Sequence, residues 1–126
     1  MTEYKLGINA GFAINRYPEP EQWLRLVREE FGLDYVQFVA DLLNPFLPDE
    51  IVDEQVEKIN KLKKKYDIRI DSTFTSAFTR VNHLMHPDLD QRKVWFNWFK
   101  DFFKLSKRLG ARGGGSHFGI MSMHDC

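Results

Sequence analysis

The stretch Gly113-Gly114-Gly115-Ser116-His117-Phe118-Gly119 follows a long aromatic segment and indicates how the rest of the chain is arranged. Three consecutive glycines remove every side chain from a short predicted strand, so other groups can approach its backbone closely. His117 stands at the carboxyl end of this strand, where a side chain projects into any cleft that the strands share. The stretch therefore predicts a strand over residues 113–117 that ends at the functional edge of a sheet.

Three earlier segments have the composition of strands, over residues 4–9, 35–39 and 68–74. Apolar residues at helical spacing predict a helix before each later strand. The first helix carries Trp23, Leu24, Val27 and Phe31, the second carries Val52, Val56, Ile59, Leu62 and Tyr66, and the third carries Trp95, Phe96, Trp98, Phe99, Phe102, Phe103 and Leu109. Asp88, with Gln91 three residues later, predicts a capping box at the start of the third helix.

The order of these elements is βαβαβαβ, with long loops after the strands and short returns after the helices. Because such crossovers join parallel strands, we expect one domain over residues 1–126, with a parallel sheet in the order 1-2-3-4 and helices on one face. Leu6, Ile8, Phe38 and Ile70 are then predicted to face inward, without an opposing layer to cover them. The outer strands are open edges, which invite pairing.

Composition limits the classes of partner. Acidic and basic residues balance at 18 each, which gives no general attraction to nucleic acid or to anionic membranes. No apolar run is long enough to cross a bilayer. Cys126 is the single cysteine, so no disulfide can form within the 126 residues, as expected for a reducing compartment. We expect a soluble cytoplasmic protein.

The loops after the strands carry the candidate functional residues, because ligands of parallel α/β folds bind at the carboxyl ends of strands. These loops and strand ends contain Asn9, Phe12, Asp41, Thr73, Phe74, Arg80, His83, His86, His117 and His124. His83 and His86 have the spacing of a zinc motif, but other ligands at known spacing are absent, and His86 precedes a helix start that predicts a structural role. Asp41 stands alone, so a loop or capping role is favoured. The glycine run lacks the spacing of a dinucleotide fingerprint and the Lys of a P-loop.

Four strand ends carry a resemblance to a known family. They are Lys5-Leu6-Gly7-Ile8-Asn9, Tyr35-Val36-Gln37-Phe38, Asp71-Ser72-Thr73-Phe74 and His117-Phe118-Gly119. In this order they resemble the first four βα steps of the xylose isomerase-like TIM barrels, which include sugar and sugar-phosphate isomerases and epimerases and the endonuclease IV-type repair enzymes. Arg80-Val81-Asn82-His83 and Gly119-Ile120-Met121-Ser122 are more similar to the sugar-phosphate isomerases, including those acting on tetrulose phosphates.

The resemblance implies the N-terminal half of a (β/α)8 barrel, since a whole barrel takes about 250 residues. It also implies a divalent metal, which in the family is held by Glu, Asp, His and Glu residues from the later strands. The catalytic residues and metal ligands are therefore expected outside these 126 residues, and the chain alone is expected to be inactive. The residues expected to bind a small sugar or sugar phosphate are Asn9, Phe12, Phe38, Phe74, His83 and His117, and His117 is expected to share a pocket with Asn9 and the end of the third strand.

Two other functions remain open. The chain is alternatively a non-catalytic half-barrel module, which only assembles with another half. An endonuclease is the further alternative, although the balanced charge argues against it because DNA-binding proteins present basic surfaces. The aromatic third helix and the open edges together predict either a homo-oligomer or part of a longer chain.

Overall fold

The computed structural model describes residues 3–121 and residue 123. Ser122, His124 and Cys126 lie outside the described residues. Four strands form one parallel sheet: β1 (Gly7–Asn9), β2 (Tyr35–Val39), β3 (Arg69–Phe74) and β4 (Gly113–Gly115). Their order is β1-β2-β3-β4, which confirms the predicted topology.

The two edge strands are shorter than predicted. Gly7 of β1 pairs with Tyr35, the first residue of β2, so Leu6 and the residues before it have no strand beside them. Leu6 is accordingly 73% exposed. At the other edge β4 ends at Gly115, where its pairing with Phe74 ends. His117 therefore lies two residues beyond the strand and belongs to the following loop.

Three helices connect the strands. They are α1 (Pro20–Arg25), which continues as one π-helical turn over Leu26–Glu30, α2 (Asp49–Tyr66) and α3 (Leu89–Arg108). Pro20 occupies the first turn of α1, where its missing N–H is no loss. Short 3₁₀ turns, Ala10–Ala13, Ser76–Thr79 and His83–Met85, lie in the loops after β1 and β3. No helix among the described residues is long and apolar enough to cross a membrane.

The start of α3 differs from the predicted capping box. The Asp88 carboxylate accepts a hydrogen bond from the Asp90 N–H, at 2.8 Å, as an N-cap should. In a full box Gln91 would return to the Asp88 N–H. Instead, that N–H donates to Nδ1 of His86 at 3.0 Å. The predicted structural role of His86 is confirmed, because its imidazole accepts the hydrogen bond that Gln91 would accept in a full capping box.

The main core lies between the helices and one face of the sheet. Val36, Phe38 and Ile70 are at most 1% exposed and pack with buried residues of α1 and α2. Phe38 contacts Trp23 of α1, with ring centroids 6.1 Å apart. The prediction that Ile8, Phe38 and Ile70 face inward is therefore wrong, because these side chains alternate onto the helix-covered face. The opposite face, which no helix covers, is called the open face below.

A register shift separates the two ends of β3. Val36 pairs with Ile70, but Gln37 pairs with Ser72, so Asp71 is an extra residue with no partner position on β2. Ile70 and Thr73 both face the helices as a result, and the Thr73 hydroxyl lies 2.8 Å from the Ser106 hydroxyl of α3. A bulge of this kind re-aims side chains without breaking the sheet.

The aromatic helix α3 has both buried and exposed rings. Trp98, Phe99 and Phe102 form a second buried cluster, while Phe96 and Phe103 are 55% and 44% exposed. The Phe103 ring lies over β4: a Cβ built at Gly114 would be 2.7 Å from its Cε1 atom. The close approach predicted for the glycine run is present at this position.

Candidate functional site

Neutral polar side chains form a row across the carboxyl half of the open face. The Asn9 amide donates from Nδ2 to Oε1 of Gln37 at 2.8 Å, and the Gln37 amide donates from Nε2 to the Ser72 hydroxyl at 3.2 Å. Asn9 Oδ1 also accepts from the Gly11 N–H at 2.8 Å, which fixes the amide orientation. Amides and hydroxyls of this kind are suited to the hydroxyl groups of a sugar.

The row lines a hollow of about 300 Å³ whose walls also include Gly7, Tyr35 and Asp71. At Gly7 the backbone of β1 approaches β2 closely, and a Cβ there would be 2.7 Å from the Tyr35 carbonyl oxygen. Gln37 and Ser72 were absent from the predicted site residues. Gln37 is a polar residue between two apolar residues of β2. Because alternate residues of a strand share a face, this pattern could have placed it on the face opposite the core.

His117 lies at the end of β3 but outside this hollow. Its ring meets the Phe74 ring edge-on, with centroids 5.3 Å apart, and its side chain is exposed. The loop that carries it is held to β3 by the Thr75 hydroxyl, which donates to the Ser116 hydroxyl at 2.9 Å. The structure thus brings His117 to the end of the third strand, as predicted, but does not place it among the residues that line the hollow beside Asn9.

The carboxyl ends of the strands and the loops that follow them form the rim of the sheet. His83 lies in the loop after β3, at this rim, and is fully buried. Its ring packs against Trp95 and Phe99 of α3, at centroid distances of 5.8 and 5.3 Å. Nδ1 accepts a hydrogen bond from the Leu84 N–H at 2.7 Å, whereas Nε2 is buried without a partner among the described residues. Burial lowers the pKa of His83, and the nearby charge of His117 lowers it further.

Two of the predicted aromatic residues pack against other rings. Phe38 is fully buried against Trp23, so its predicted contact with substrate is wrong. Phe12, in the turn after β1, packs its half-buried ring edge-on against Phe31 with centroids 5.4 Å apart. Phe74 remains at the rim, between the end of β3 and His117. A sequence pattern cannot separate these three rings, because all lie at or near the carboxyl end of a strand.

Asp41 has the loop role that its isolation indicated. Its Oδ1 atom accepts from the Phe78 N–H at 3.2 Å and so ties the loop after β2 to the loop after β3. Its Oδ2 atom is buried and has no partner within the described residues. The hydrogen bond assigns Asp41 to anchoring the two loops.

A second polar cluster closes the amino end of the open face. Arg112 donates from Nε and Nη2 to the two carboxylate oxygens of Asp71, both at 2.9 Å. These bonds lower the pKa of the Asp71 carboxyl. With Lys5, Lys63 and Arg69 the pair lines a hollow of about 320 Å³. Because this is the end opposite the ligand-binding rim, the cluster fits a stabilising role.

The described residues do not offer a metal site. No group of three or more His, Cys, Asp or Glu side chains in residues 3–121 and 123 lies close enough to hold an ion. His83 also fails as a ligand, since Nδ1 is occupied by the Leu84 N–H and Nε2 then carries the proton of the neutral ring. A metal of the kind implied by the family resemblance would need ligands from elsewhere.

Comparison with known proteins agrees with this fold. No family profile matches the chain. A D-erythrulose 1-phosphate 3-epimerase from Brucella abortus is 27% identical over 120 residues, which cover 95% of this chain and 39% of that protein. A crystal structure of a candidate xylose isomerase from Rhodospirillum rubrum superposes with a TM-score of 0.88 at 32% identity, covering 98% of this chain and 42% of that one.

The chain thus spans about two fifths of the length of these two proteins. Four parallel strands with alternating helices correspond to half of an eight-stranded barrel. The resemblance noted in the strand ends is confirmed: the chain has the fold of the xylose isomerase-like TIM barrels and is consistent with the N-terminal half of such a barrel.

Proposed function

We propose that this chain supplies one half of the substrate site of a sugar or sugar-phosphate isomerase or epimerase. The observation that carries the proposal is the hydrogen-bonded row of Asn9, Gln37 and Ser72 at the carboxyl half of the open face. The similarity over 95% of the chain to a protein named as a D-erythrulose 1-phosphate 3-epimerase supports a ketose phosphate, with tetrulose phosphates as the first substrates to test. The single cysteine of the 126-residue chain supports a cytoplasmic location in this proposal.

In this proposal the chain binds and orients the substrate. Asn9 contacts a sugar hydroxyl, Phe74 forms an apolar wall beside it, and His117 contacts the substrate from the β4 loop. Proton transfer next to a carbonyl needs a base within hydrogen-bond reach and a stabiliser for the ene-diolate. Asp41 is bound to the Phe78 N–H, so we assign the base to residues outside this chain.

A divalent metal, when bound in the complete barrel, would polarise the carbonyl and stabilise the ene-diolate. The residues described here lack the donor set for it. We therefore assign the metal ligands, like the base, to the other part of the barrel. The contribution of this chain remains the orientation of the sugar by neutral hydrogen-bonding groups.

The second candidate is a non-catalytic half-barrel module. One observation favours it: the polar groups of the open face already bond to one another, as Arg112 does to Asp71 and Gln37 does to Ser72. A face of this kind can be hydrated without another half against it. The endonuclease alternative has less support, because the 18 acidic and 18 basic residues give no net positive charge.

We also propose that the chain assembles, either in a longer polypeptide or with a second half-barrel. β1 and β4 are the edges of the sheet, and edge strands have unpaired backbone groups. Phe96 and Phe103 are exposed rings of α3, and Phe103 lies over β4. Sedimentation at micromolar concentration tests this: a single monomeric species with cooperative unfolding would contradict it.

Asn9→Asp tests the substrate site. Aspartate keeps the oxygen that accepts from the Gly11 N–H but loses the amide donor and adds a negative charge near the bound sugar phosphate. We expect the Kd for D-erythrulose 1-phosphate, measured by calorimetry, to rise roughly tenfold. Asn15→Asp adds the same charge at an exposed position in the same loop and serves as the matched control.

Equal Kd values for the two variants would contradict a contact at Asn9. If the unmodified chain shows no saturable binding of the ketose phosphate while it remains folded, the half-barrel module becomes the better description. A metal titration in the same instrument adds a second readout, because stoichiometric binding of a divalent ion by the 126 residues would contradict the assignment of its ligands elsewhere.

A further inference from the structure

His83 combines two unusual features. Its backbone φ is +33°, a conformation that few residues other than glycine adopt. Its imidazole is fully buried, and its Nε2 atom has no hydrogen-bond partner among the described residues. Strain and an unpaired buried polar group each cost folding free energy, and both are typical of positions with a binding role.

The hydrogen bond at Nδ1 determines the state of the ring. Nδ1 accepts from the Leu84 N–H at 2.7 Å, so this nitrogen presents its lone pair, and a neutral ring carries its hydrogen on Nε2. The unpaired atom is therefore a donor. Burial and the charge of His117 both lower the pKa of His83, which favours this neutral form.

The surroundings of the ring define what the donor can bind. Trp95 and Phe99 pack against it, and no ion pair among the described residues involves His83. A phosphate dianion placed among these rings would lose its water and gain at most the charge of His117, whose side chain is exposed, so the transfer is costly. A neutral oxygen loses much less and still accepts the Nε2–H.

We propose that His83 binds the sugar part of the substrate by donating a hydrogen bond from Nε2 to a carbonyl or hydroxyl oxygen, and that it does not bind the phosphate. The inference rests on the proposed function and adds a specific atom, tautomer and ligand group to it. Neutral imidazole is a suitable donor for this purpose, since it polarises an oxygen without transferring a full charge.

Residues 116–121, called the strap, lie beside the loop that carries His83. The Ile120 N–H donates to the Val81 carbonyl oxygen at 3.1 Å, and the Asn82 amide donates to the Ile120 carbonyl oxygen at 2.6 Å. The strap is thereby joined to the loop that carries His83. In this proposal a ligand reaches the fully buried ring when these two bonds open.

The experiment is NMR on the full chain with ¹⁵N-labelled histidine. Long-range ¹H–¹⁵N spectra report the tautomer directly, and titrations use D-erythrulose 1-phosphate and, separately, inorganic phosphate. We expect His83 in the Nε2–H form, a shift of its Nε2 and Hε2 signals with the ketose phosphate, and no shift of these signals with inorganic phosphate alone.

His83→Asn is the variant, because asparagine tolerates positive φ and its oxygen can still accept from the Leu84 N–H while the distant donor is lost. His86→Asn is the matched control, since His86 Nδ1 makes the same kind of local bond, to the Asp88 N–H, at the start of α3. We expect the Kd for the ketose phosphate to rise roughly tenfold in His83→Asn and to remain unchanged in His86→Asn.

Three results would overturn the inference. One is the Nδ1–H tautomer, and another is an equal His83 shift with inorganic phosphate. The third is ketose phosphate binding that moves the side-chain signals of Asn9 and Gln37 but leaves His83 unchanged; the proposed function then survives, and buried water accounts for Nε2. If no residue responds to the ketose phosphate, the proposed function and this inference both fail for the chain.

Discussion

The two faces of the sheet carry opposite kinds of side chain on the same strands. Phe38 is fully buried beneath the helices, whereas Gln37, the preceding residue, bonds to Asn9 and Ser72 on the open face. Consecutive residues of a strand point to opposite faces, so a single segment serves two purposes. Folding free energy therefore comes from one face of the sheet, and ligand contact is expected on the other.

The polarity of the open face changes the expectation for an isolated half-barrel. Burying one large apolar side chain contributes roughly 1.5–3 kcal/mol, so an exposed inner layer of such side chains would remove most of the stability of a domain. The residues predicted to form that layer, Ile8, Phe38 and Ile70, pack beneath the helices instead. The remaining reasons to assemble are the strand edges and the exposed rings of α3.

Joining this chain to the other part of a barrel is expected to produce the largest change, which is in catalytic activity. We expect the 126-residue chain to show no turnover of D-erythrulose 1-phosphate, because we assign the base and the metal ligands to the other part of the barrel. A chimera that joins it to the part of the Brucella relative beyond the matched 39% should regain activity, and enzyme rate enhancements start at about a millionfold. Coupled assays of both purified proteins measure this, and turnover by the chain alone would show that the site is complete without another half.

Paired substitutions at adjacent positions separate the two faces most directly. Phe38→Ala removes a fully buried ring and should lower the free energy of unfolding by about 3–5 kcal/mol. Gln37→Ala, one residue earlier on the open face, should cost less than about 1.5 kcal/mol, since it removes two part-exposed side-chain hydrogen bonds. Urea denaturation gives both values, and similar losses at the two positions would contradict the division of roles.

The strap at the rim can be tested at Gly119. Its φ is +130°, and a Cβ there would be 2.2 Å from the Asn82 carbonyl oxygen. Gly119→Ala should therefore cost about 1–3 kcal/mol locally and release the strap, which amide hydrogen exchange at Ile120 would report. Gly113→Ala is the control, because a Cβ at Gly113 has nothing within 4 Å. Unchanged protection of Ile120 in Gly119→Ala would show that the strap tolerates a side chain.

The buried histidine predicts a smaller, pH-dependent effect. The pKa of His83 is lowered from 6.5, so below pH 6.5 the unfolded chain binds a proton that the folded chain does not. Stability should then fall as pH drops below 6.5, by at most about 1.4 kcal/mol per pH unit, and level off below the folded pKa. Above pH 6.5 both states are neutral at this residue, and no contribution remains.

His83→Asn should remove this slope between pH 6.5 and the folded pKa. Asp71 and Asp88, whose pKa values are lowered from 3.8, titrate in a more acidic window and do not interfere. Thermal unfolding of the variant and of the unmodified chain at matched pH values gives the difference. A steeper loss at low pH in the variant would contradict a buried neutral imidazole.

The sequence was sufficient for the topology. Strand patterns alternating with helical patterns and joined by short returns leave few arrangements, and the observed parallel order is the predicted one. The sequence was insufficient to predict which face of the sheet each side chain occupies. Residues 68–74 contain a bulge at Asp71, which reverses the alternation within β3, and no local residue pattern distinguishes a bulge from a regular strand.

The candidate site was only partly predictable for a related reason. Asn9, Phe74 and His117 follow from their places at strand ends. His83 is buried by Trp95 and Phe99, which belong to a helix that starts after it in the chain. Its Nε2 atom carries the proton of the neutral ring because Nδ1 accepts from the Leu84 N–H. Such properties arise from tertiary packing and have no signal in the spacing of residues.

The bulge at Asp71 also bears on barrel closure. Strand number, tilt and stagger are linked in a closed barrel, and an extra residue in β3 changes the stagger between β2 and the strands that follow. Any half that closes against β1 and β4 must complete the same total stagger, or its strands will meet these edges out of register. Deleting Asp71 would therefore alter which halves can join this one, even though the deletion lies two strands from β1 and in the middle of the sheet.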